Sequence, residues 1–516
     1  MPPSHLESGS EPRSSSSLTF WANPLQPMSL DWDTLLEIMH FSRREDASRM
    51  SRTCHTLLRH APCILLAVDT EGRIVSINSP QRLLSFHQFM LGGRHDAFRH
   101  LKQMYLHIFA RKGGRLQLSG LLSGLFGHAE ELRYLEINDS RLLVVSDEVT
   151  QAFTQLRKLR TLKFLWIKTT ASESQRIFET LQAPLTYVSA TCSSGISVGN
   201  IDLIQLLAPF RESLRAADLR GAVWNTFDVQ YPHVFSLTAY VANFESLGSM
   251  AASFPNLQEL NLGLEEEEEW SEEELEEIRL WSMESQRNYM WRSLIQLCTG
   301  NTTQLYIMGI RCKVYHIIIE DMLRSELEGR LLTAVLTEVQ PDILEIGLQL
   351  PTFDIYPLFH HLSPVISSLS QLRLGLEYSI NEELPIDAGT CTMRILEQLS
   401  GLRLHTLSLG IHICARERKD STQVSEWFQR SFDFEALAHH AMFTIPTLRL
   451  VALEADPWQD AELWYVCMEG EDPESSTKEL ASVQPETTAY QDFFNTSPMF
   501  ASPPSVLISK SSRWID

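Results

Sequence analysis

Histidines and cysteines are the side chains of this 516-residue sequence that could support metal or nucleophile chemistry, so their spacing decides which chemistry is open to it. His95 and His100 stand on either side of Asp96, and all three are possible metal ligands. Because their spacing is i, i+5, the two imidazoles would lie on different faces of a helix. The pairs His360–His361 and His439–His440 are adjacent, so their rings point apart in a helix or a strand. We therefore predict no metal site and no cofactor.

The eight cysteines are scattered singly, without a CxxC pair or the spacing of a zinc finger. We expect reduced thiols, with Cys54 acting as a small buried apolar side chain. The sequence also lacks the G-x-x-x-x-G-K-[ST] loop, the G-x-G-x-x-G turn, the H-E-x-x-H helix and the G-x-S-x-G elbow. These arrangements hold phosphates, zinc and a serine nucleophile. An enzyme is therefore the least favoured class.

Charge and hydropathy exclude further kinds of partner. The formal net charge of -22 creates a field that repels phosphate backbones and anionic lipid surfaces. No stretch approaches the ~18 consecutive apolar residues of a membrane-spanning helix, and the N-terminal MPPSHLESGSEPRSSSS lacks the apolar core of a signal peptide. We therefore expect no nucleic-acid partner, no membrane and a cytoplasmic or nuclear location.

Three short helices are predicted between residues 30 and 66. The first has an apolar face at i, i+3, i+4 spacing, formed by Leu35, Ile38 and Met39. Leu57 and Leu58 give the third helix its apolar side, and Pro62 is expected to end it. A unit of this size is too small to be stable alone, so we expect its apolar face to need a partner surface.

Several residues of this segment follow the pattern of an F-box: Leu30, Asp33, Leu35, Leu36, Glu37, Ile38, Thr53, Cys54 and Leu57. The segment resembles the F-box of fungal F-box proteins, with Asp31 where many of them have Pro. Members of that family dock on the adaptor subunit of cullin-RING ubiquitin ligases, and the rest of their chain recruits the substrate. The resemblance implies an adaptor-binding set of Leu30, Leu35, Leu36, Ile38, Met39, Thr53, Cys54 and Leu57.

From about residue 101 an L-x-x-L-x-L motif recurs, most clearly in FPNLQELNL and in IPTLRLVAL. The early copies start roughly 20 to 29 residues apart, which is the period of leucine-rich repeats. Each such repeat contributes one strand and a helical or irregular return. We therefore predict an α/β fold in which a three-helix F-box-like segment precedes an irregular leucine-rich-repeat solenoid with parallel strands and helical returns. The predicted core triplets include Leu132, Leu135 and Ile137; Leu159, Leu162 and Phe164; Leu257, Leu260 and Leu262; and Leu448, Val451 and Leu453.

The array departs from the usual repeat at the ninth position of the motif, when the first leucine is counted as position one. Asn or Cys normally stands there and satisfies the loop backbone. This chain instead has Ser140, Ile167, Ser193 and Glu265. We therefore expect no regular side-chain ladder and an irregular curvature.

Two features of the second half concern its helical returns. The acidic run Glu265–Glu277 is interpreted as a solvated insertion that interrupts the array, with a docking site for a basic partner as the alternative. Ser271 and Glu274 indicate a helix start within it. Further on, an apolar stripe from Met322 to Val335 predicts a helical return.

These patterns divide the chain into consecutive parts. The first residues are rich in Ser, Pro and Glu and cannot offset their ordering entropy, and the C-terminal stretch is similarly polar. The predicted parts are a disordered leader 1–28, an F-box-like segment 29–66, a connecting segment 67–100, a solenoid 101–455 with an acidic insertion 264–282, and a largely flexible tail 456–516.

Two hypotheses for function remain. In the first, the chain is an F-box-type subunit that binds the ligase adaptor and recruits a target protein through its solenoid. In the second, it is a ubiquitin-independent leucine-rich-repeat scaffold whose F-box-like segment only covers the open end of the solenoid core. The two differ in whether Leu35, Ile38 and Leu57 contact the chain's own repeats or stay free for another protein.

The target is predicted to bind the concave strand face. Neighbouring strand residues alternate between faces, so the residue between the last two apolar positions of each triplet points away from the core. The predicted binding residues are Glu136, Lys163, Asp218, Asn261 and Arg373. The full predicted column also contains Ser189, Thr238, Ile318, Gly347, Ser408 and Ala452. The alternative is that these side chains are only solvated.

Overall fold

A computed structural model of the chain describes residues 31–42, 44–66, 75–92, 95–108, 115–192, 202–221, 228–241, 247–264, 270–350, 368–380, 388–415, 432–455, 463–468 and 479–483. Leu30, the leader 1–28, the pair His360–His361, Ser193 and Glu265 lie outside the described residues.

The N-terminal unit consists of three helices, α1 (Trp32–Phe41), α2 (Arg44–Ser51) and α3 (His55–Leu65). Asp31 caps α1, because its carboxylate accepts a 2.7 Å hydrogen bond from the backbone N–H of Thr34. The Cys54 sulfur caps α3 by accepting from the backbone N–H of Leu57 at 3.5 Å. Three helices are thus present as predicted, but Pro62 lies inside α3 instead of ending it. It sits in the last turn, where it supplies no N–H to the carbonyl of Leu58 but its own carbonyl still accepts a 3.0 Å hydrogen bond from the backbone N–H of Leu66.

One sheet of sixteen strands runs through the rest of the described chain, with the strands hydrogen-bonded in chain order. The first fourteen strands are parallel, and the last two pair antiparallel. The strands are β1 (Val75–Ile77), β2 (Gln103–Leu106), β3 (Tyr134–Asp139), β4 (Thr161–Ile167), β5 (Tyr187–Cys192), β6 (Ala216–Arg220), β7 (Ser236–Val241), β8 (Glu259–Leu264), β9 (Ser293–Thr299), β10 (Lys313–Leu323), β11 (Ile343–Leu350), β12 (Gln371–Ile380), β13 (Thr406–Ala415), β14 (Leu450–Ala455), β15 (Leu463–Met468) and β16 (Glu479–Val483).

Helices connect most of these strands and pack on the inner face of the sheet, where they share one continuous core with it. They are α4 (Pro80–Gly92), α5 (Arg115–His128), α6 (Asp147–Phe153), α7 (Ala171–Thr180), α8 (Leu203–Leu207), α9 (Leu247–Ser253), α10 (Glu272–Ser285), α11 (Thr302–Ile307), α12 (Glu326–Val339), α13 (Ala388–Gln398) and α14 (Phe434–Thr444). Parallel strands in sequential order with short returns are the architecture of a leucine-rich-repeat solenoid, as predicted.

The leucine triplets line the core. Leu132, Leu135 and Ile137 are fully buried, and Leu257, Leu260 and Leu262 are at most 3% exposed. Each side chain meets its equivalents from the neighbouring repeats, because the strands pair in register. Burying an aliphatic side chain contributes about 1.5 to 3 kcal/mol, so the recurring triplet is the main source of stability.

The sheet extends beyond both predicted limits of the solenoid. β1 lies within the segment 67–100 that the sequence pattern assigned to a connection, and it pairs with β2. β15 and β16 lie within the segment 456–516 that was assigned to a flexible tail. These strands lack the leucine triplet, so the repeat pattern could not find them. β1 has only three residues, and β15 and β16 pair antiparallel.

The described part of the acidic run, residues 270–277, belongs to a repeat. The prediction of an insertion is wrong for its second half, because α10 is the return between β8 and β9, which pair directly. Ser271 and Glu274 form the expected capping box, each side chain accepting from the other's backbone N–H. Leu275 is 2% exposed, so the helix places an apolar side in the core while its glutamates face outward.

A second predicted return starts later than expected. Met322 and Leu323 belong to β10, and α12 begins at Glu326, with a capping box formed by Ser325 and Glu328. The strand is long because it bulges after Ile318.

A hydroxyl group replaces part of the missing loop ladder. Ser140 is 2% exposed, and its Oγ accepts a 3.0 Å hydrogen bond from the backbone N–H of Lys168 in the next repeat. The same oxygen lies 3.2 Å from Thr169 Oγ1, which is 2.7 Å from Ser174 Oγ. The absence of a regular ladder stays a prediction, but at this repeat serine and threonine hydroxyls satisfy part of the loop.

A buried arginine joins three successive returns. Arg279 of α10 is 5% exposed, and its guanidinium donates to the Tyr306 carbonyl in α11 and, at 2.8 Å, to Glu338 of α12. It also stacks on the Tyr306 ring, 4.4 Å from the centroid. Arg330 of α12 also joins this helix to α10, but through an exposed 2.8 Å ion pair with Glu272.

We predict that Arg279→Ala lowers the free energy of unfolding by about 2 to 3 kcal/mol, because two charge-assisted hydrogen bonds and the packing of a buried stem are lost. Arg330→Ala is the matched control and should cost less than about 1 kcal/mol, because its ion pair is exposed. Urea unfolding followed by circular dichroism measures both. Equal losses in the two variants would contradict the role given to Arg279.

Candidate functional site

The register of the sheet aligns the predicted binding column across six repeats. From β3 to β8, backbone pairing sets neighbours side by side in the order Glu136, Lys163, Ser189, Asp218, Thr238 and Asn261. These side chains are half-buried and point away from the buried triplets. We call this line of residues, continued below to Ala452, the central row. Its part in binding a target stays a prediction.

The second half of the central row differs from the prediction at two places. β9, which the sequence pattern missed, inserts Cys298 between Asn261 and Ile318. The next position is Glu345, because Ile318 pairs with it, so Gly347 is wrong for this row. Leu344, Ile346 and Leu348 alternate along β11, and such a strand can be placed two residues out of register without changing face. The row then ends with Arg373, Ser408 and Ala452.

Lys163 lies between two tyrosine rings from neighbouring strands. Its Nζ is 5.6 Å from the ring centroid of Tyr134 and 5.5 Å from that of Tyr187. Such cation–π contacts position an ammonium group without neutralising its charge. Burial, followed by the negative charge of Asp218, raises the pKa of Tyr187 to about 12, so its hydroxyl stays protonated at neutral pH. The arrangement therefore presents a positive charge framed by aromatic surface.

Glu136 is held by side chains of the sheet itself. Tyr134 donates a 2.8 Å hydrogen bond to its Oε2, and His107 Nε2 lies 2.9 Å from its Oε1. Burial first, and then hydrogen bonding with Tyr105 and Glu136, raises the pKa of Tyr134 well above its usual range. Tyr134 thus remains a donor to the carboxylate. The Glu136 carboxylate therefore bonds to groups of the sheet itself, which leaves its charge less available to another molecule.

Asp218 is held in the same way. Arg220 donates to its Oδ1 at 3.1 Å, and Ser189 donates to its Oδ2 at 3.2 Å. The Arg220 guanidinium also stacks on Tyr240, 4.8 Å from the ring centroid. Reversing the charge of Asp218 would therefore break internal contacts as well as change the surface.

The sequence pattern did not single out the tyrosines and the arginine that stand beside the central row. Tyr134 and Tyr187 stand two residues before the central row, and Arg220 and Tyr240 stand two residues after it. Because side chains two residues apart in a strand share a face, this spacing was the signal that could have found them.

The second half of the same face is flatter. Gly347, Gly375 and Gly410 pair in one line on β11, β12 and β13. Met322 lies over the first of them, since a Cβ added at Gly347 would stand 2.0 Å from the Met322 sulfur. The side chain thus occupies space that only glycine leaves open.

Glu345 is the charged centre of this flatter half. His316 Nε2 and Arg373 Nη1 lie 3.0 Å and 2.9 Å from the same carboxylate oxygen, Oε1. Burial acts to raise the pKa of Glu345, but the hydrogen bond with His316 and the charge of Arg373 outweigh it and lower the pKa. The carboxylate is therefore more stable in the folded chain than in the unfolded one.

Two predicted adaptor contacts lie in the core of the N-terminal unit. Met39 and Leu57 are 0% and 4% exposed, and they pack with Ala47 and Ala61 in a cluster separate from the solenoid core. The expectation that this unit cannot bury its own apolar face is therefore wrong for these two residues. The two alanines let the helices approach closely enough to enclose them.

The other predicted adaptor contacts differ in exposure. Leu35, Leu36 and Cys54 are half-buried against the small core, whereas Ile38 and Thr53 are exposed. The Thr53 hydroxyl donates to the backbone of its own unit at 2.7 Å. Of the described residues in the predicted set, Ile38 is thus the apolar side chain that stays open to solvent.

Further apolar side chains of the unit are exposed. Phe41 is 85% exposed, Trp32 is 51% exposed and Leu58 is 39% exposed, beside 43% for Ile38. Ile38 and Phe41 are neighbours on the helix surface, because they stand three residues apart in α1.

The histidines are not gathered into a site. Within the described ranges, no group of three or more His, Cys, Asp or Glu side chains is arranged to hold a metal ion. His439 is exposed and His440 is half-buried, with its Nε2 3.9 Å from a Glu397 carboxylate oxygen, so the adjacent rings point apart. In the same described part of the chain, none of the helices has the length and apolar character needed to cross a bilayer.

Solved structures show a remote similarity to this chain. No family model matches it, and no curated protein does. Among solved structures, the crystal structure of the TLR13–ssRNA13 complex is 11% identical over 69% of this chain and 46% of the other, at a TM-score of 0.34. The mouse RP105/MD-1 complex is 12% identical over 66% and 79%, at a TM-score of 0.18. The chain thus spans less than half the length of the TLR13 chain it matches.

We predict that Glu345 makes stability depend on pH. Its lowered pKa means that the stabilisation is present above the usual glutamate range and is lost as the pH falls through that range. Glu345→Gln should therefore melt lower than the parent at neutral pH, and its melting temperature should fall less between about pH 6 and pH 3. Glu259→Gln, on the same sheet face in β8, is the control. If both variants show the parental pH profile, Glu345 does not carry this dependence.

Proposed function

We propose that this chain is a non-enzymatic scaffold that holds a target protein on the solvent face of its sheet and links that target, through its N-terminal unit, to the adaptor subunit of a cullin-RING ubiquitin ligase. The observation that supports target binding on the sheet is the Lys163 site. The lysine has no ion pair among the described residues and stands between two tyrosine rings. Tyrosine is one of the side chains that dominate the energetics of protein interfaces.

A protein target suits this face better than a small molecule. Among the described residues the face is a sheet of aligned, half-buried side chains, whereas small-molecule sites are normally concave and mostly apolar. Glu136 and Asp218, the acids in the first half of the central row, are hydrogen-bonded within the sheet. Lys163 is therefore the charge in that half best placed to recognise a partner. Target recognition therefore centres on Lys163 and its flanking rings.

The adaptor is proposed to bind the exposed apolar residues of α1 and α3. The unit fills its own core with Met39 and Leu57, yet Ile38, Phe41 and Leu58 remain exposed. Ile38 belongs to the F-box-like pattern, and Phe41 lies one turn further along α1. A small folded unit that leaves large apolar side chains in water is suited to docking on another protein.

The alternative is a ubiquitin-independent scaffold in which the unit covers the end of the array. It is favoured by Leu66, which follows α3 and belongs to the main core of the solenoid. Burial of the solenoid's open end is a physical need of such folds. The two functions differ in the role of Ile38 and Phe41, which a cap does not use.

We predict that Lys163→Glu removes the target. Reversal of the charge puts a carboxylate between two tyrosine rings and repels an acidic group of the partner, so binding should weaken at least about tenfold. The measurement is affinity purification of the full chain with quantitative mass spectrometry, and circular dichroism reports on folding.

Lys168→Glu is the matched control for this variant. Lys168 also stacks on an aromatic ring, Trp166, at 5.6 Å, but it follows β4 and lies outside the central row. The two variants have the same net charge. If the same proteins co-purify with both, the sheet face is not the target site.

We predict that Ile38→Asp combined with Phe41→Ser abolishes adaptor binding while the helices stay folded, because both side chains are exposed in the free chain. Each buried aliphatic or aromatic side chain contributes about 1.5 to 3 kcal/mol, so the loss should exceed about a hundredfold. Pull-down with the purified adaptor measures it.

Leu84 and Leu91 supply the control for this second test. Both are 45% exposed and lie on α4, in the solenoid. Leu84→Asp with Leu91→Ser should leave adaptor binding unchanged. An adaptor that binds neither the parent nor any variant favours the scaffold with a capping unit.

A further inference from the structure

A second surface runs along the sheet, at the residues just before β2 to β8 and near the start of β9 and β10. Backbone hydrogen bonds join the residues of this line one repeat at a time: Arg133 to Lys102 at 2.8 Å, Arg160 to Arg133 at 2.9 Å, Thr186 to Arg160 at 2.7 Å, Arg215 to Thr186 at 2.8 Å, Phe235 to Arg215 at 2.9 Å, Gln258 to Phe235 at 2.8 Å and Ile295 to Gln258 at 2.8 Å. Tyr315 follows Ile295, because the residues on either side of both are paired. We call this line, from Lys102 to Tyr315, the rim row.

The first half of the rim row is cationic. Lys102, Arg133, Arg160 and Arg215 are all exposed, and neighbouring strands lie about 4.8 Å apart. Four cations in one line stand out in a chain whose formal net charge is -22. They form a local positive stripe against the field of the whole molecule.

Acidic residues near the stripe do not cancel it. Glu131 is bound by Lys158, a further cation of the same edge. The hydrogen bond from Lys158 first, and then the charges of Arg133 and Lys102, lower the pKa of Glu131. Glu130 is exposed beside it. Cations therefore outnumber acids along these repeats.

The second half of the rim row is apolar. Phe235 is 43% exposed, Ile295 is 53% exposed and Tyr315 is 36% exposed. Gln258 separates the first two and carries no charge. Apolar side chains from successive strands thus continue the line in which the cations stand, and they are exposed without a covering element among the described residues.

We propose that the rim row binds an extended polypeptide segment of a partner protein, with acidic side chains toward Lys102 and apolar side chains toward Tyr315. A cationic half pairs with carboxylates, and an apolar half gains by burial. Nucleic acid fits less well, because Lys313, the cation over the Tyr315 ring, is already paired with Asp342, and the net charge would repel phosphates. This surface is separate from the central row, so the two sites succeed or fail independently.

The test uses the full chain and a fluorescent synthetic peptide whose first half alternates Glu with Ser and whose second half alternates Leu with Ser. Fluorescence anisotropy should show binding that is at least about tenfold weaker in the variant Lys102→Ser, Arg133→Ser, Arg215→Ser. Arg160 is left in place, because its guanidinium donates to the Pro184 carbonyl at 3.1 Å and supports the loop.

The charge-matched control is Arg52→Ser, Arg59→Ser, Arg311→Ser, which removes three exposed cations elsewhere. It should bind within about twofold of the parent. Equal weakening of both triple variants would mean that only net charge matters, and it would overturn the proposal.

A separate pair of substitutions tests the apolar half of the rim row. Phe235→Ser with Ile295→Ser should weaken binding of the peptide that carries leucines and should not change binding of a peptide with Ser in their place. Binding of a Gln-for-Glu peptide as tight as that of the acidic one overturns the proposal, as does full displacement by single-stranded RNA at equal concentration. Lys163→Glu should leave this peptide's affinity unchanged, which separates the rim row from the sheet face.

Discussion

The described solenoid depends on apolar side chains that no single repeat can bury. One strand with one return has an open side, so Leu135, Leu162 and Leu260 become buried only when the neighbouring repeats stack on them. Stacking requires the parallel strands to pair in register, because a one-residue slip would turn the leucines outward. The demand for burial therefore also fixes which polar residues stand side by side on the other face.

This coupling explains how functional side chains from distant parts of the chain meet. Lys163 and its two tyrosines come from three repeats, and the sheet brings them together only because the buried residues on either side are aligned. The same argument holds for His316, Glu345 and Arg373. A bulge after Ile318 changes the register locally without loss of the core, so the face tolerates irregularity that the triplets do not.

Periodicity predicted the core well and the surfaces only in part. The triplets were placed correctly because their spacing follows directly from the repeat. β9 was missed because the acidic run before it looked like an insertion, although α10 buries Leu275. Gly347 was placed in the central row instead of Glu345 because Leu344, Ile346 and Leu348 alternate too regularly to set the register. Met39 and Leu57 were expected at an interface because sequence spacing does not reveal that two alanines allow close packing.

The charges of the central row follow one physical rule, with one exception. Glu136, Asp218 and Glu345 each accept hydrogen bonds from side chains of the same or a neighbouring strand, which is what half-buried carboxylates require in a molecule that is already strongly negative. Lys163 has aromatic rings in place of a carboxylate, and so keeps its charge available. An arrangement that satisfies its acids internally and leaves a cation open reduces self-repulsion in the free chain. It also makes the face attractive to acidic groups of a partner, against the sign of the whole molecule.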